Sequence, residues 1–105
     1  MNTYILVYLG SAQPTNEEEG AKHFEKYRVW LSSLGDALIS PANPIKDTNV
    51  ITPDGTVAPG STTEMSGFSV IQADSMLIAI EMAKTCPFLE IGGTLEISEM
   101  MRMDG

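Results

Sequence analysis

The hydrophobic pattern divides the chain into strand-like and helix-like segments. Residues 3–9 are almost entirely apolar or aromatic, which is typical of a strand that is covered on both faces. Residues 66–73 are rich in β-branched and aromatic side chains, and a strand predicted at 94–101 alternates between apolar and polar positions over residues 94–99. A shorter apolar run at 36–40 is ended by Pro41. The pattern therefore predicts four strands.

The segment 16–34 has the periodicity of an amphipathic helix. Its start carries a capping-box pattern, Thr15 followed by Glu18, and Gly35 is a typical C-terminal stop. Apolar residues recur at helical spacing and predict the stripe that faces the sheet: Ala21, Phe24, Tyr27, Leu31 and Leu34.

The segment 74–85 predicts a second helix, which is apolar around most of its circumference. Asp74 is the candidate N-cap, and Pro87 prevents the helix from continuing. Between 76 and 83 every residue except Glu81 is apolar, whereas a helix on one face of a sheet needs an apolar stripe of only about 100°. We therefore expect protein to cover this helix on more than one side, and we expect the second cover to be another subunit.

The order of elements is β-α-β-β-α-β. The polar, turn-rich stretch 45–65 separates the second strand from the third, with a hairpin tip predicted at 53–56. Two crossovers and one hairpin predict a ferredoxin-like α+β fold, in which both helices pack on one face of a four-stranded antiparallel sheet. The chain, residues 1–105, is predicted to form a single domain. Because the first strand is apolar on both sides, a second copy is predicted to cover the other face in a homodimer.

The charge of the chain narrows the classes of partner. Its formal net charge is −8, and its 6 lysine and arginine residues are scattered, which argues against nucleic acid and against an anionic membrane surface. The single cysteine leaves no intramolecular disulfide, and the first residues lack the basic start and apolar run of a signal peptide. We therefore expect a cytoplasmic protein.

Four short patterns occur in order along the chain: LGxALxxP at 34–41, GFSVIxAD at 67–74, CPFL at 86–89 and LEIxEMM at 95–101. Through these patterns nearly the whole chain resembles the YCII-related (YciI-like, DGPF-domain) protein family. The resemblance implies two ferredoxin-like units that are joined through their sheets in a dimeric α/β barrel. It implies little about chemistry, because most members of that family have no known function.

The resemblance also implies where acid–base chemistry would be found. YciI-like members have been suspected of using a histidine of the first helix together with a carboxylate, and His23 matches that histidine. Residues 8–11 at the end of the first strand offer no carboxylate, so Asp36, which follows the first helix, is the candidate partner. The Asp-Gly-Pro-Phe element is absent, because the Asp-Gly at 54–55 is followed by threonine and Pro-Phe occurs at 87–88.

Several side chains are candidates for a site beside the first helix. Imidazole suits proton transfer near neutral pH, so His23 is either a base in a pocket, a partly exposed helix residue or a metal ligand. Tyr27 and Trp30 follow on the same flank and either line a pocket or pack in the core. Ser40 and Asn43, in a loop predicted after the second strand, either cover that pocket or form a turn.

Other kinds of site find little support. Cys86 is predicted at the C-terminal end of a helix, where the dipole raises the pKa of a thiol and makes it a poor nucleophile. The sequence has no phosphate-binding loop, nucleophile elbow or paired metal-ligand motif, so no metal and no cofactor is predicted.

Two hypotheses from different classes remain open. In the first, the protein is a dimeric module without catalysis that binds a small molecule or another protein. In the second, it is a small-molecule enzyme that uses His23 as general acid or base in a cleft. The position of His23 separates them, since the enzyme requires that this imidazole line a cavity near Asp36 rather than point to bulk solvent.

Overall fold

A four-stranded antiparallel sheet with two helices on one face confirms the predicted ferredoxin-like α+β fold. The computed structural model describes residues 1–10 and 17–101. Its elements are, in chain order, β1 (Asn2–Leu9), α1 (Glu17–Leu34), β2 (Leu38–Pro44), β3 (Asn49–Ile51), β4 (Val57–Pro59), β5 (Met65–Ala73), α2 (Met76–Ala83) and β6 (Thr94–Glu99). The strand order in the sheet is β2-β5-β1-β6, so β1 is central, as its apolar sequence predicts.

The face of the sheet that packs against the helices, here called the covered face, contains the hydrophobic core. In β1 the side chains of Tyr4 and Leu6 have 0% exposed surface, and Tyr8 retains 6%. Trp30 of α1 and Ala79 of α2 belong to the same buried cluster. Full burial of a large apolar side chain contributes about 1.5–3 kcal/mol, so this layer supplies most of the fold's hydrophobic stabilisation.

The opposite face, here called the open face, carries the residues that alternate with those of the core. Ile5 and Val7 of β1 pair with Val70 and Phe68 of β5, and all four side chains are partly exposed. On the β6 side, Glu96 lies opposite Val7 and brings a carboxylate to the margin of this apolar centre. Within residues 1–10 and 17–101, no helix covers this face.

Helix α1 ends where the sequence indicates. Its last residue is Leu34, and Gly35 follows with a φ of +54°, a left-handed conformation that favours glycine at the end of a helix. The predicted capping residue, Thr15, lies outside the described residues. None of the described helices is both long and apolar enough to span a membrane.

Helix α2 is shorter than the predicted 74–85, and its N-cap is Ser75 rather than Asp74. The Ser75 backbone is extended, and its Oγ accepts a hydrogen bond from the Ile78 backbone N–H at 3.2 Å. The hydroxyl therefore satisfies a free N–H of the first turn, which is the role that was expected of the carboxylate. Leu77 still exposes 68% of its surface, so the described chain does not supply the second cover that was expected for this helix.

Strand β2 continues past the proline that was expected to end it. In place of a strand at 36–40, the structure has Leu38–Pro44, and Asp36 lies in the 3-10 turn before it. β2 is an edge strand whose pairing with β5 shifts register on both sides of Ser40. At such an irregular edge Pro41 interrupts no regular ladder, so its missing N–H is tolerated.

The stretch between β2 and β5 contains the predicted hairpin. Its turn is closed by two backbone hydrogen bonds, from Gly55 to the Thr52 carbonyl at 2.8 Å and from Thr52 to the Thr56 carbonyl at 2.9 Å. Ile51 and Val57 pair across β3 and β4, and both side chains are exposed. The hairpin therefore forms a separate two-stranded sheet outside the core.

Candidate functional site

A cavity of about 260 Å³ lies between α1, one end of the sheet and the 3-10 turn Pro87–Ile91. We call it the aromatic cavity. Five separate parts of the chain contribute to its wall, which is mostly aromatic or apolar: Tyr8, His23, Phe24, Tyr27, Ala42, Pro44, Ser66, Gly67 and Phe88.

Helix α1 brings His23 and Tyr27 into the cavity wall because residues four apart lie on one face of a helix. The centroids of their rings are 6.2 Å apart. Trp30 follows on the same face and is only 5% exposed, whereas the predicted core residues Ala21 and Phe24 are exposed, Phe24 by 66%. The stripe prediction is wrong at these two positions, because packing against the sheet sets the rotation of the helix about its axis.

Three hydroxyl groups form a continuous hydrogen-bonded chain that ends at the cavity. The Tyr27 hydroxyl donates to the Tyr8 hydroxyl, and the Tyr8 oxygen lies 2.6 Å from Ser69 Oγ. We call Tyr27, Tyr8 and Ser69 the hydroxyl chain. Ser69 is fully buried, and Tyr8 and Tyr27 both line the cavity. Each buried hydroxyl thus has a partner, as buried polar groups require.

Gly67 explains how the Tyr8 ring fits against the sheet. Tyr8 pairs with Gly67 across β1 and β5, so no side chain stands directly opposite the ring. A Cβ at Gly67 would lie 2.9 Å from the Asn43 carbonyl oxygen of β2. Glycine is therefore needed for the close approach of β2 to β5, and it also leaves space at the cavity.

Burial keeps the ionisable groups around the hydroxyl chain neutral. Burial raises the pKa of Tyr8, although the hydrogen bond with Ser69 lowers it in part, and burial together with the bond to Tyr8 raises the pKa of Tyr27. Burial also raises the pKa of the neighbouring Cys86 thiol from 9.0 to about 11. The direction for Cys86 agrees with the sequence prediction, but the main cause is desolvation and not a helix dipole.

His23 lies between the aromatic cavity and a second, charged cleft of about 260 Å³. That cleft is also lined by Glu19, Lys22, Lys26 and Glu90. The Lys26 ammonium is 3.5 Å from the Glu90 carboxylate, and both side chains are largely exposed. The imidazole therefore adjoins apolar walls on one side and charged, solvated groups on the other.

Asp36, the predicted carboxylate partner of His23, lies at the opposite end of α1. At 1.5 Å per helical residue the separation along the helix is about 20 Å. Asp36 is exposed, and its backbone carbonyl accepts a hydrogen bond from Gln72 Nε2 at 2.9 Å. The predicted contact between His23 and Asp36 is therefore not made. Glu19 is a carboxylate residue that does share a cleft with His23.

Ser40 and Asn43 stabilise the irregular strand β2 rather than line the aromatic cavity. The Asn43 amide donates to Ser40 Oγ at 2.9 Å and to the Phe68 carbonyl at 3.1 Å. These bonds replace part of the regular ladder that the register shifts interrupt. The same strand still contributes to the cavity wall, but through Ala42 and Pro44.

Trp30 connects the two helices. Its Nε1 donates to Thr85 Oγ1 at 2.9 Å and to the Met82 carbonyl at 3.2 Å, which ties α1 to the end of α2. Its ring centroid is 5.6 Å from that of Tyr27. Trp30 therefore supports Tyr27 from behind and is absent from the lining of the aromatic cavity.

Sequence reasoning overlooked Tyr8, Ser69 and Phe88 as parts of the site. Alternation along β1 puts Tyr8 on the same face as Tyr4 and Leu6, and a serine within an apolar strand is the signal that could have indicated a polar partner. The Tyr8 and Phe88 ring centroids are 5.2 Å apart in an edge-to-face arrangement.

The described residues do not form a cluster of metal ligands. Among residues 1–10 and 17–101, no three His, Cys, Asp or Glu side chains are grouped so that they could hold an ion.

No protein-family profile matches the sequence, and no curated protein sequence matches it. Among solved structures, the chain is similar to 5-chloro-2-hydroxyhydroquinone dehydrochlorinase from Burkholderia phenoliruptrix AC1100, determined in complex with 2,5-dihydroxybenzoquinone. The TM-score is 0.60 at 12% sequence identity, over 96% of this chain and 95% of that one. The two proteins thus share a fold over nearly their full lengths. Membership of the YCII-related family stays a prediction.

Proposed function

We propose that the chain binds a small ring compound with polar substituents in the aromatic cavity. The observation that carries this proposal is the composition of the cavity wall, in which aromatic and apolar side chains surround an imidazole, His23, and a phenol, Tyr27. A mostly apolar cavity with a few placed polar groups is typical of small-molecule sites.

Size and charge indicate the class of ligand. The volume of about 260 Å³ lies below the roughly 300–1,000 Å³ of pockets that hold drug-sized ligands, so the cavity suits a single ring. Neutral hydroxyl groups and a net charge of −8 favour a neutral compound over an anion. The structurally similar dehydrochlorinase was determined with 2,5-dihydroxybenzoquinone, a compound with one ring, which supports ring compounds as the first probes.

The binding proposal is tested with a variant that fills the cavity. Ala42 lines the cavity from β2, whereas Ala58 lies on the exposed hairpin strand β4. Calorimetric titrations with resorcinol and hydroquinone, which are neutral at pH 7, should detect binding by the unmodified protein. Ala42→Leu should weaken it at least about tenfold, a loss of 1.4 kcal/mol, and Ala58→Leu should leave it unchanged. Absence of binding by both probes, or equal effects of the two variants, would contradict the proposal.

A second candidate function is proton transfer to the bound ring by His23. The observation that favours it is the position of the imidazole in the wall of the cavity, beside Tyr27. In this reaction His23 accepts the proton of a ring hydroxyl and delivers a proton to a ring carbon, which converts the enol to its keto tautomer without any co-reactant. A general acid–base group of this kind contributes about 10²–10⁴-fold to a rate.

Deuterium exchange separates this enzyme from a binding module. In D₂O, proton NMR should show that the protein accelerates loss of the ring hydrogens of resorcinol, and His23→Ala should remove about 10²–10⁴-fold of that acceleration. Since His23 is partly exposed, thermal stability should change little. If the protein binds resorcinol but does not accelerate exchange, it is a binding module, and this catalytic role of His23 is excluded.

The proposed assembly is a homodimer in which two open faces pack against each other. The apolar pairs of Ile5 with Val70 and Val7 with Phe68 remain partly exposed in the single chain. A specific, stable dimer buries about 1,200–2,000 Å² in total, and the open face of the four-stranded sheet offers an apolar centre for this contact. The aromatic cavity lies on the covered side, so both copies would keep their cavities.

A further inference from the structure

We infer that Tyr27 acts as a hydrogen-bond acceptor toward the ligand, so that the aromatic cavity selects ring compounds carrying a free hydroxyl group over those carrying only ethers or carbonyls. The inference rests on the proposed function and sharpens it, because it names the substituent that the site recognises.

The direction of the hydroxyl chain carries the inference. A phenol has one proton to donate, and the Tyr27 hydroxyl donates it to Tyr8. The Tyr8 oxygen accepts that bond, and its other partner is Ser69 Oγ, 2.6 Å away. The Tyr27 proton therefore points into the protein. The Tyr27 oxygen keeps a lone pair and has no proton left for a ligand.

The gradient of burial decides which member of the chain a ligand meets. Ser69 has 0% exposed surface and Tyr8 6%, whereas Tyr27 is partly exposed and lines the cavity. Burial also raises the pKa of both tyrosines, so the Tyr27 proton that sets the direction stays in place at neutral pH. A ligand in the cavity thus meets the accepting end of the chain.

This arrangement predicts different affinities for ring compounds that differ only in whether their oxygens carry a proton. Resorcinol can donate a hydroxyl proton to Tyr27, whereas 1,3-dimethoxybenzene presents only ether oxygens. One hydrogen bond of this kind corresponds to about a three- to tenfold difference in affinity. At Tyr27 an ether oxygen would face another lone pair, which gives repulsion in place of a bond.

The experiment compares resorcinol with 1,3-dimethoxybenzene in three proteins. The unmodified protein should prefer resorcinol about three- to tenfold, and Tyr27→Phe should lose that preference. Ala58→Leu, on the exposed hairpin strand β4, should keep it. Thermal unfolding of each variant serves as the control for folding.

The outcomes distinguish failure of this inference from failure of the proposed binding function on which it rests. If resorcinol and 1,3-dimethoxybenzene bind equally well, or if the preference persists in Tyr27→Phe, the acceptor role is overturned while the cavity stays a binding site. If neither compound binds and Ala42→Leu has no effect on any probe, the proposed function fails and the acceptor role fails with it.

Discussion

The two faces of strand β1 differ more than their sequences do. Tyr4, Leu6 and Tyr8 on one face are buried beneath the helices, whereas Ile5 and Val7 on the other remain partly exposed. Both sets are apolar or aromatic, so hydrophobicity alone does not tell which set the chain itself covers. The difference teaches that, within residues 1–10 and 17–101, the helices cover only one of two apolar faces of the sheet.

The covered face is itself divided between core and site. Toward the N-terminal end of β1, Leu6 and Tyr4 pack tightly with Ile71, and all three have no exposed surface. Toward the C-terminal end of β1, Tyr8 uses its ring for packing and its hydroxyl for the chain to Tyr27. The aromatic cavity lies where the helix layer stops filling the space over the sheet.

The largest expected effect comes from a charge on the covered face. Leu6→Asp should abolish folding, because an unpaired carboxylate at a position without exposed surface costs several kcal/mol, while a domain has only about 5–15 kcal/mol of stability. Circular dichroism and the dispersion of amide NMR signals measure the loss. A folded Leu6→Asp protein would show that the covered face is not the core.

The same charge one residue later should leave the fold intact but break the proposed dimer. Val7→Asp places a carboxylate on the open face, near Glu96, where water can solvate it in the single chain but not between two packed sheets. Light scattering at micromolar concentration should give a dimer for the unmodified protein and a folded monomer for Val7→Asp. A monomeric unmodified protein, or a dimeric variant, would contradict the proposed assembly.

A smaller effect is expected from alkaline pH. Burial raises the pKa of Cys86 to about 11 from 9.0, so the unfolded chain loses this proton first as the pH rises. The contribution of this thiol to stability should therefore be constant below pH 9 and fall between about pH 9 and 11, by at most about 3 kcal/mol for two pKa units. Tyr8 and Tyr27, whose pKa values are also raised, add to the loss above pH 10.

Urea denaturation at a series of pH values measures this loss, with Cys86→Ala as the comparison. The alanine variant starts from a lower stability because it leaves a small cavity, but its curve should fall less steeply between pH 9 and 10. Parallel curves for the two proteins would show that the thiol does not contribute.

Much of the fold could be predicted because its signals are local. The two-sided apolarity of β1, the helix stop at Gly35 and the turn around Gly55 each depend on a few neighbouring residues. The continuation of β2 past Pro41 could not be predicted, because it depends on register shifts at a sheet edge. The choice of Ser75 over Asp74 as N-cap likewise depends on where α2 packs and not on cap preference alone.

The site was less predictable because its contacts are distant in sequence. His23 and Tyr27 could be found from helical spacing, but the bond between Tyr8 and Ser69 joins different strands and depends on their register. The expected partner Asp36 follows α1 in the sequence, and the part of the helix after His23 separates the two side chains. Local periodicity therefore predicts the wall of the cavity that α1 contributes. The other walls depend on contacts between segments that are distant in sequence.

The most direct measurement of the central claim is a chemical-shift titration with resorcinol, followed on the backbone amides of the whole chain. If the aromatic cavity is the binding site, the shifts should change at Tyr8, His23, Gly67 and Phe88, which line it. The amide of Val70, whose side chain lies on the open face, should stay in place. Changes confined to the open face, or no saturable change anywhere, would contradict the account.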